Sequence, residues 1–194
     1  VDFCSNDYLG FAQKQNPNQQ AMGSTGSRLI SGNTPLHLLL EKEIAKYHQT
    51  EAALIFNSGY DANLGFFSCI PQKEDTVIYD QLCHASIRDG IRLGLARSFA
   101  FQHNDTIQLQ EKLKQATGQA FLVVESIYSM DGDHSPLEKI ASICKTYDAK
   151  LIVDGTQYSI ENISKGNTLL GNTQNLASGL QSIEHRTGFQ VGRY

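Results

Sequence analysis

Thr76-Val77-Ile78-Tyr79-Asp80-Gln81-Leu82-Cys83-His84-Ala85-Ser86 is an apolar strand that runs into a polar corner, with a helix beginning near Ser86. The corner carries an imidazole, a thiol and a hydroxyl. In a parallel sheet, ligands sit at the carboxyl ends of strands, where helices begin. His84 therefore stands where a flat aromatic ligand would stack on it. A lone histidine is more often a surface or core residue, and that alternative stays open.

The same alternation recurs on both sides of this stretch. Thr34-Pro35 opens a helix with a cap and a first-turn proline. Leu36, Leu39, Leu40, Ile44 and Tyr47 follow at helical spacing, with Glu41, Lys42, Glu43 and Lys46 expected as the solvated face. Ala52–Phe56 is predicted as a strand and Asp61–Cys69 as a helix. Ser86–Ala96 is predicted as a helix and Ser98–Phe101 as a short strand. Thr106–Ala116 is predicted as a helix with Ile107, Leu109 and Leu113 inward. Phe121–Val124 is a buried strand, and Pro136–Tyr147 a helix with Leu137, Ile140, Ile143 and Cys144 inward. Lys150–Val153 is a strand ending at Asp154. Short strands alternating with helices predict an α/β fold, a three-layer and mostly parallel sheet with flanking helices.

Three parts follow: an N-terminal segment 1–34, the α/β domain 35–154 and a tail 155–194. The first part contains Gly23-Ser24-Thr25-Gly26-Ser27-Arg28, either a linker or an anion-binding loop. The tail is rich in Gly, Asn, Thr, Ser and Gln, with scattered apolar residues, so weak order is expected there.

Composition narrows the function. The chain has 194 residues, 40% of them hydrophobic, and a formal net charge of −4. That balance lacks the basic footprint of a nucleic-acid binder. No apolar run is long enough to span a membrane, and the expectation is that no signal peptide precedes Val1, in a chain that starts without an initiator Met. Cys4, Cys69, Cys83 and Cys144 are scattered, which predicts reduced thiols, a cytoplasmic setting and no metal site.

Four strand ends deliver Ser58-Gly59-Tyr60, Asp80 through His84, Glu125 through Asp131, and Asp154 to one sheet edge. The Ser58-Gly59 turn offers free amides at a helix start, which suit a phosphate; an ordinary turn is the alternative. Asp154 ends an apolar run, so its carboxylate calls for a cationic partner such as a protonated heterocyclic nitrogen, or else caps a helix. The turn Ser126 to Asp133 could lend a hydroxyl to the same ligand, or be a plain turn.

Taken together these residues resemble the α-oxoamine synthases, pyridoxal-phosphate (PLP) enzymes of the aspartate-aminotransferase fold. The matching stretches are Ser5 to Gly10 (SNDYLG), Gly23 to Gly32 (GSTGSRLISG), Asn57 to Asn63 (NSGYDAN), Asp80 to Gly90 (DQLCHASIRDG), Tyr128 to Asp133 (YSMDGD) and Leu151 to Asp154 (LIVD). The resemblance implies an incomplete PLP-transferase large domain, with His84 stacking on the pyridine ring and Asp154 pairing with its nitrogen as the catalytic pair. It implies Ser58, Gly59 and Tyr60 at the phosphate, Ser129 at the phenolic oxygen and Glu125 supporting the wall. Asn6 and Arg28 would face the substrate. The implied reaction joins an amino acid to an acyl thioester with loss of carbon dioxide. The wording is most similar to the biotin-pathway branch, which uses L-alanine and a pimeloyl thioester on CoA or a carrier protein. Glycine C-acetyltransferase and serine palmitoyltransferase are near relatives. A homodimer is implied as well.

After Asp154 the wording departs from the family. Gln157 stands where a histidine is expected. Lys165 is the only lysine after Asp154 and comes too soon to be the Schiff-base lysine. The segment from Phe11 to Gly23 is also short for the family. The expectation is a truncated or frame-shifted member in which any PLP binding is non-covalent and turnover is negligible; a non-catalytic partner subunit of a family dimer is a second reading. An unrelated nucleotide-binding domain is the other reading, weakened by the lack of a GxGxxG after the first strand.

Overall fold

The computed structural model describes residues 26–30, 32–48 and 50–155, and a two-residue strand at 190–191. The expectations for Asn6, for the Phe11–Gly23 segment and for Lys165 lie outside the described residues.

The strands are β1 (Thr76–Asp80), β2 (Arg97–Phe101), β3 (Ala120–Glu125), β4 (Lys150–Asp154) and β5 (Gln190–Val191). They form one sheet in the order β2-β1-β3-β4-β5, and every pairing is parallel. The helices are α1 (Pro35–His48), α2 (Gly59–Cys69), α3 (Ala85–Leu93), α4 (Thr106–Leu113) and α5 (Leu137–Thr146).

Period-two alternation sorts the strand residues onto two faces. Ile78, Leu122, Val124 and Leu151 pack with Phe101, Leu109, Leu113, Ile140, Ile143 and Cys144, placing α4 and α5 on one face. Val77, Val123 and Ile152 pack with Phe66, Phe67, Cys83, Ile87 and Ile91, placing α2 and α3 on the other. The three layers follow directly from the pattern of apolar residues.

The topology also fixes where a ligand belongs. From β1 the chain crosses through α3 to β2 on one side. It then returns through α4 to β3 on the other side of β1. Strand order reverses between β1 and β3, and the crevice outside such a reversal is the usual ligand position of open α/β sheets.

Several expectations need correction. Ala52–Phe56 forms no strand among the described residues; a strand exists only where a neighbour supplies the partner groups. Its Ile55 amide instead donates to Glu41 Oε1 at 2.9 Å. Glu41 is accordingly not part of a solvated face: Arg28 grips it at 2.5 and 2.9 Å. The leucines expected on the inner face of α1 are turned out, with Leu36, Leu39 and Leu40 exposed and Ala45 buried. Ile107 is 72% exposed while Leu109 and Leu113 are buried. Two residues on a helix are about 200° apart, so Ile107 and Leu109 cannot share a face, whereas Leu109 and Leu113 can. The helix from residue 85 ends at Leu93 with Gly94 as its C-cap, and α4 ends at Leu113, each three residues earlier than expected. In the tail, Gln190–Val191 pairs with Val153 and Asp154, so a tail segment lies beside β4.

Candidate functional site

The strand ends converge through hydrogen bonds. At the end of β1, Asp80 is fully buried. Its Oδ1 accepts the Leu82 amide at 2.9 Å and its Oδ2 the Asn104 amide at 2.9 Å. This turn carries the chain to His84, whose backbone N–H donates to Glu125 Oε1 at 2.5 Å. That bond bridges β1 and β3 at the reversal point.

His84 is the N-cap of α3 and its ring caps the helix itself. Nδ1 lies 3.2 Å from the Ser86 amide, which donates to it, and 2.8 Å from Ser86 Oγ. On the other side of the crevice, Asp154 ends β4 and is 8% exposed. Its Oδ2 accepts from Asn63 Nδ2 at 3.0 Å. The same Nδ2 donates to Ser86 Oγ at 2.9 Å. His84 and Asp154 are thus joined through two intervening side chains, Ser86 and Asn63.

The start of α2 lies alongside. Ser58 is its N-cap and accepts the Asp61 amide at 3.0 Å, while the Ala62 amide donates to the Ser58 carbonyl. Among the described residues, the Gly59 and Tyr60 amides have no acceptor. They are two of the four orphan donors that a helix start leaves over. The Tyr60 ring meets the His84 ring edge-on, with centroids 6.1 Å apart, and Tyr60 donates its hydroxyl to Asp89.

The region is strongly negative. Burial pushes the Glu125 carboxyl up to about 7, helped by Asp154 and then Asp80 and opposed by the His84 amide. Burial also raises the Cys83 thiol, and Glu125, Asp80 and Asp154 add to that shift. A cationic ligand group is favoured at such a place.

A second cluster closes one side. His103 lies between Asp80 Oδ1 at 3.0 Å and Asp133 Oδ2 at 2.6 Å, and its ring meets Tyr128 edge-on at 4.5 Å. Burial works against a charged ring here, but Asp133 and Asp80 outweigh it and hold His103 above its usual range. This cluster ties the 126–135 loop to β1.

Not every expected residue joins the crevice. Ser129 is exposed and makes no hydrogen bond among the described residues. Arg28 is engaged with Glu41, with Asn33 Oδ1 at 2.8 and 3.1 Å, and with the Ile55 carbonyl at 3.5 Å. It lines a pocket with Leu54, Ile55, Phe56, Asn57 and Asp61, ahead of α2. Asn63, His103 and the bonding role of Ser86 were not drawn from the sequence. Asn63 had a usable signal: it is a polar residue on the helical stripe of Gly59, Ala62, Phe66 and Phe67, all buried. A polar side chain in such a stripe needs a partner. His103 gave no comparable signal.

The aminotransferase class I and II family matches residues 1–156. A putative 8-amino-7-oxononanoate synthase of Bacillus licheniformis is 47% identical over 164 residues, covering 79% of this chain and 43% of that protein. A serine palmitoyltransferase from S. paucimobilis, solved with PLP and myriocin bound, superposes with a TM-score of 0.67 at 34% identity, covering 69% of this chain and 35% of that one. An 8-amino-7-oxononanoate synthase from Francisella tularensis superposes with a TM-score of 0.57 at 32% identity, covering 70% of this chain and 36% of that one. The chain therefore spans about two fifths of the length of the curated relatives it matches. With the match extending over most of its residues, this chain belongs to the aminotransferase class I and II family.

Proposed function

We propose that residues 35–154 are a PLP-binding α/β domain, with 1–34 as an N-terminal segment and 155–194 as a divergent tail. The observation that carries this reading is the bonded run Asp154–Asn63–Ser86–His84, lying beside two amides of α2 that have no acceptor among the described residues. PLP unites a phosphate, a flat ring and a ring nitrogen that can be protonated. The donor set suits each part: orphan amides at a helix start for the phosphate, an imidazole face for the ring, and a buried carboxylate for the cation.

When bound, PLP supplies the electron sink that chemistry at an amino acid's α-carbon requires. Asp154 would accept a hydrogen bond from the protonated ring nitrogen and hold the proton there. The Gly59 and Tyr60 amides would donate to the phosphate, with Ser58 holding the turn. His84 would cover one ring face, and Glu125 anchors the His84 backbone. Ser129 would have to serve the phenolic oxygen from its exposed position in the 126–135 loop. Asn6 and Arg28 belong to the substrate side.

The parent activity on this reading is an acyltransferase of biotin synthesis. It condenses L-alanine with a pimeloyl thioester, on CoA or a carrier protein, and releases carbon dioxide. The names and identities of the relatives support it. Serine palmitoyltransferase-like chemistry is a second reading, favoured by the TM-score of 0.67 but with lower sequence identity. A cytoplasmic homodimer completes the proposal. Lys165 is the only lysine after Asp154 in the sequence given and follows it closely, so these residues by themselves would hold PLP without a covalent link, with negligible turnover.

Titration with PLP and, separately, with NAD tests the reading. Saturable PLP binding with no comparable NAD binding, and no lysine-linked absorption band, is the expected result. Preference for NAD would overturn the cofactor assignment. A lysine-linked band abolished by Lys165→Ala would overturn the non-covalent part.

A further inference from the structure

We infer that Asn63 and Ser86 are positioning residues that fix which nitrogen of His84 carries the proton. An ionised carboxylate accepts only, so the group facing Asp154 Oδ2 at 3.0 Å must be the Asn63 NH2. The flipped amide would set its oxygen against that carboxylate. The second hydrogen of the same NH2 goes to Ser86 Oγ at 2.9 Å. Ser86 Oγ is thereby an acceptor from Asn63, and its single hydrogen points to His84 Nδ1 at 2.8 Å. The Ser86 backbone N–H reaches the same nitrogen at 3.2 Å. Nδ1 receives two donors and has no place for a proton of its own. The ring hydrogen therefore sits on Nε2.

Two further observations support this direction of bonding. Asn63 Oδ1 is buried without a partner among the described residues, in a side chain only 2% exposed. An unpartnered buried acceptor is costly, and it persists because the opposite orientation would set the amide oxygen against the Asp154 carboxylate. The reach of Asn63 to Ser86 also requires α2 and α3 to approach closely. Gly90 permits this, since a Cβ there would lie 2.8 Å from the Asn63 carbonyl and 3.0 Å from Phe67 Cβ.

The consequence for the cofactor rests on the reading of His84 and Asp154 given above; the tautomer does not. The carboxylate that would bind the ring nitrogen and the imidazole that would cover the ring are set by one shared amide.

The test is a 15N spectrum of the full chain labelled at histidine, without PLP, with the His84 signals assigned by His84→Gln. The expected result is an unprotonated Nδ1 and a protonated Nε2. Ser86→Ala and Asn63→Ala should each convert this to a mixture of tautomers. Asn63→Ala should also weaken PLP binding by roughly tenfold, the loss of one hydrogen bond to a charged group. Ser86→Ala covers the case in which Asn63→Ala does not fold. A proton on Nδ1 in the parent chain, or a tautomer unmoved by Ser86→Ala, overturns the inference. A parent chain with the expected tautomer but no affinity for PLP leaves the relay standing and removes the cofactor reading. Normal PLP binding with the wrong tautomer does the reverse.

Discussion

The crevice at the strand ends and the α1 flank treat polar and apolar residues in opposite ways. Around the crevice, Asn63, Asp80, Ser86, Glu125 and Asp154 are buried, and each has a named hydrogen-bond partner. On the flank, Leu36, Leu39, Leu40 and Leu54 are exposed while the Arg28–Glu41 pair is partly shielded. A stripe of apolar residues fixes the period of an element, not the surface that covers it. In the sheet, both faces of β1 and β3 meet helices, so period and burial agree. In α1 and Ala52–Phe56 the covering surface is missing among the described residues, and they disagree.

Substitutions that contrast the two regions should separate sharply. Leu109→Ala removes a fully buried side chain from the α4–α5 face and should cost about 2–5 kcal/mol in urea unfolding. A cost under about 1 kcal/mol would mean that this face is not packed as described.

The next effect is electrostatic. Glu125 is held up to about 7, above the ordinary 4.5, so folding favours its protonated form. Its contribution is complete below pH 4.5 and is lost as pH rises through about 7. Ligand-free chain should lose at most roughly 3 kcal/mol from this group over that window. His103, also raised, acts in the same direction, so the comparison with Glu125→Gln isolates the carboxyl. Stability of that variant should vary less with pH between 4.5 and about 7, the window set by the two pKa values. An unchanged pH profile would place Glu125 in water.

The smallest effects belong to the outer surfaces. Leu39→Ala and Ile107→Ala should each shift stability by less than about 0.5 kcal/mol. For Leu39 the informative readout is association. An exposed apolar face predicts concentration-dependent melting of the parent chain, which Leu39→Glu should weaken. Sharp, concentration-independent melting of a monomeric parent would show that α1 needs no cover.

Much of this was legible in the sequence because the same residues encode element and position. Thr76–Tyr79 and Lys150–Val153 read as strands, and their ends deliver His84 and Asp154 to one edge by topology alone. What was not legible depended on long-range partners. Glu41 looks solvated until Arg28 and the Ile55 amide are seen beside it, 13 and 14 residues away. Asn63 reads as one letter of a motif until Asp154, 91 residues on, supplies its acceptor. Ile107 is exposed for a local reason: two residues apart on a helix it points about 200° away from buried Leu109.

The account rests on Asp154 drawing a cationic ring into the crevice. Equilibrium titration of the chain and of Asp154→Asn with PLP, followed by the absorption of bound cofactor, tests this most directly. A saturable parent curve, weakened by about tenfold or more in the variant, is the predicted result. Equal affinity of the two chains would contradict it.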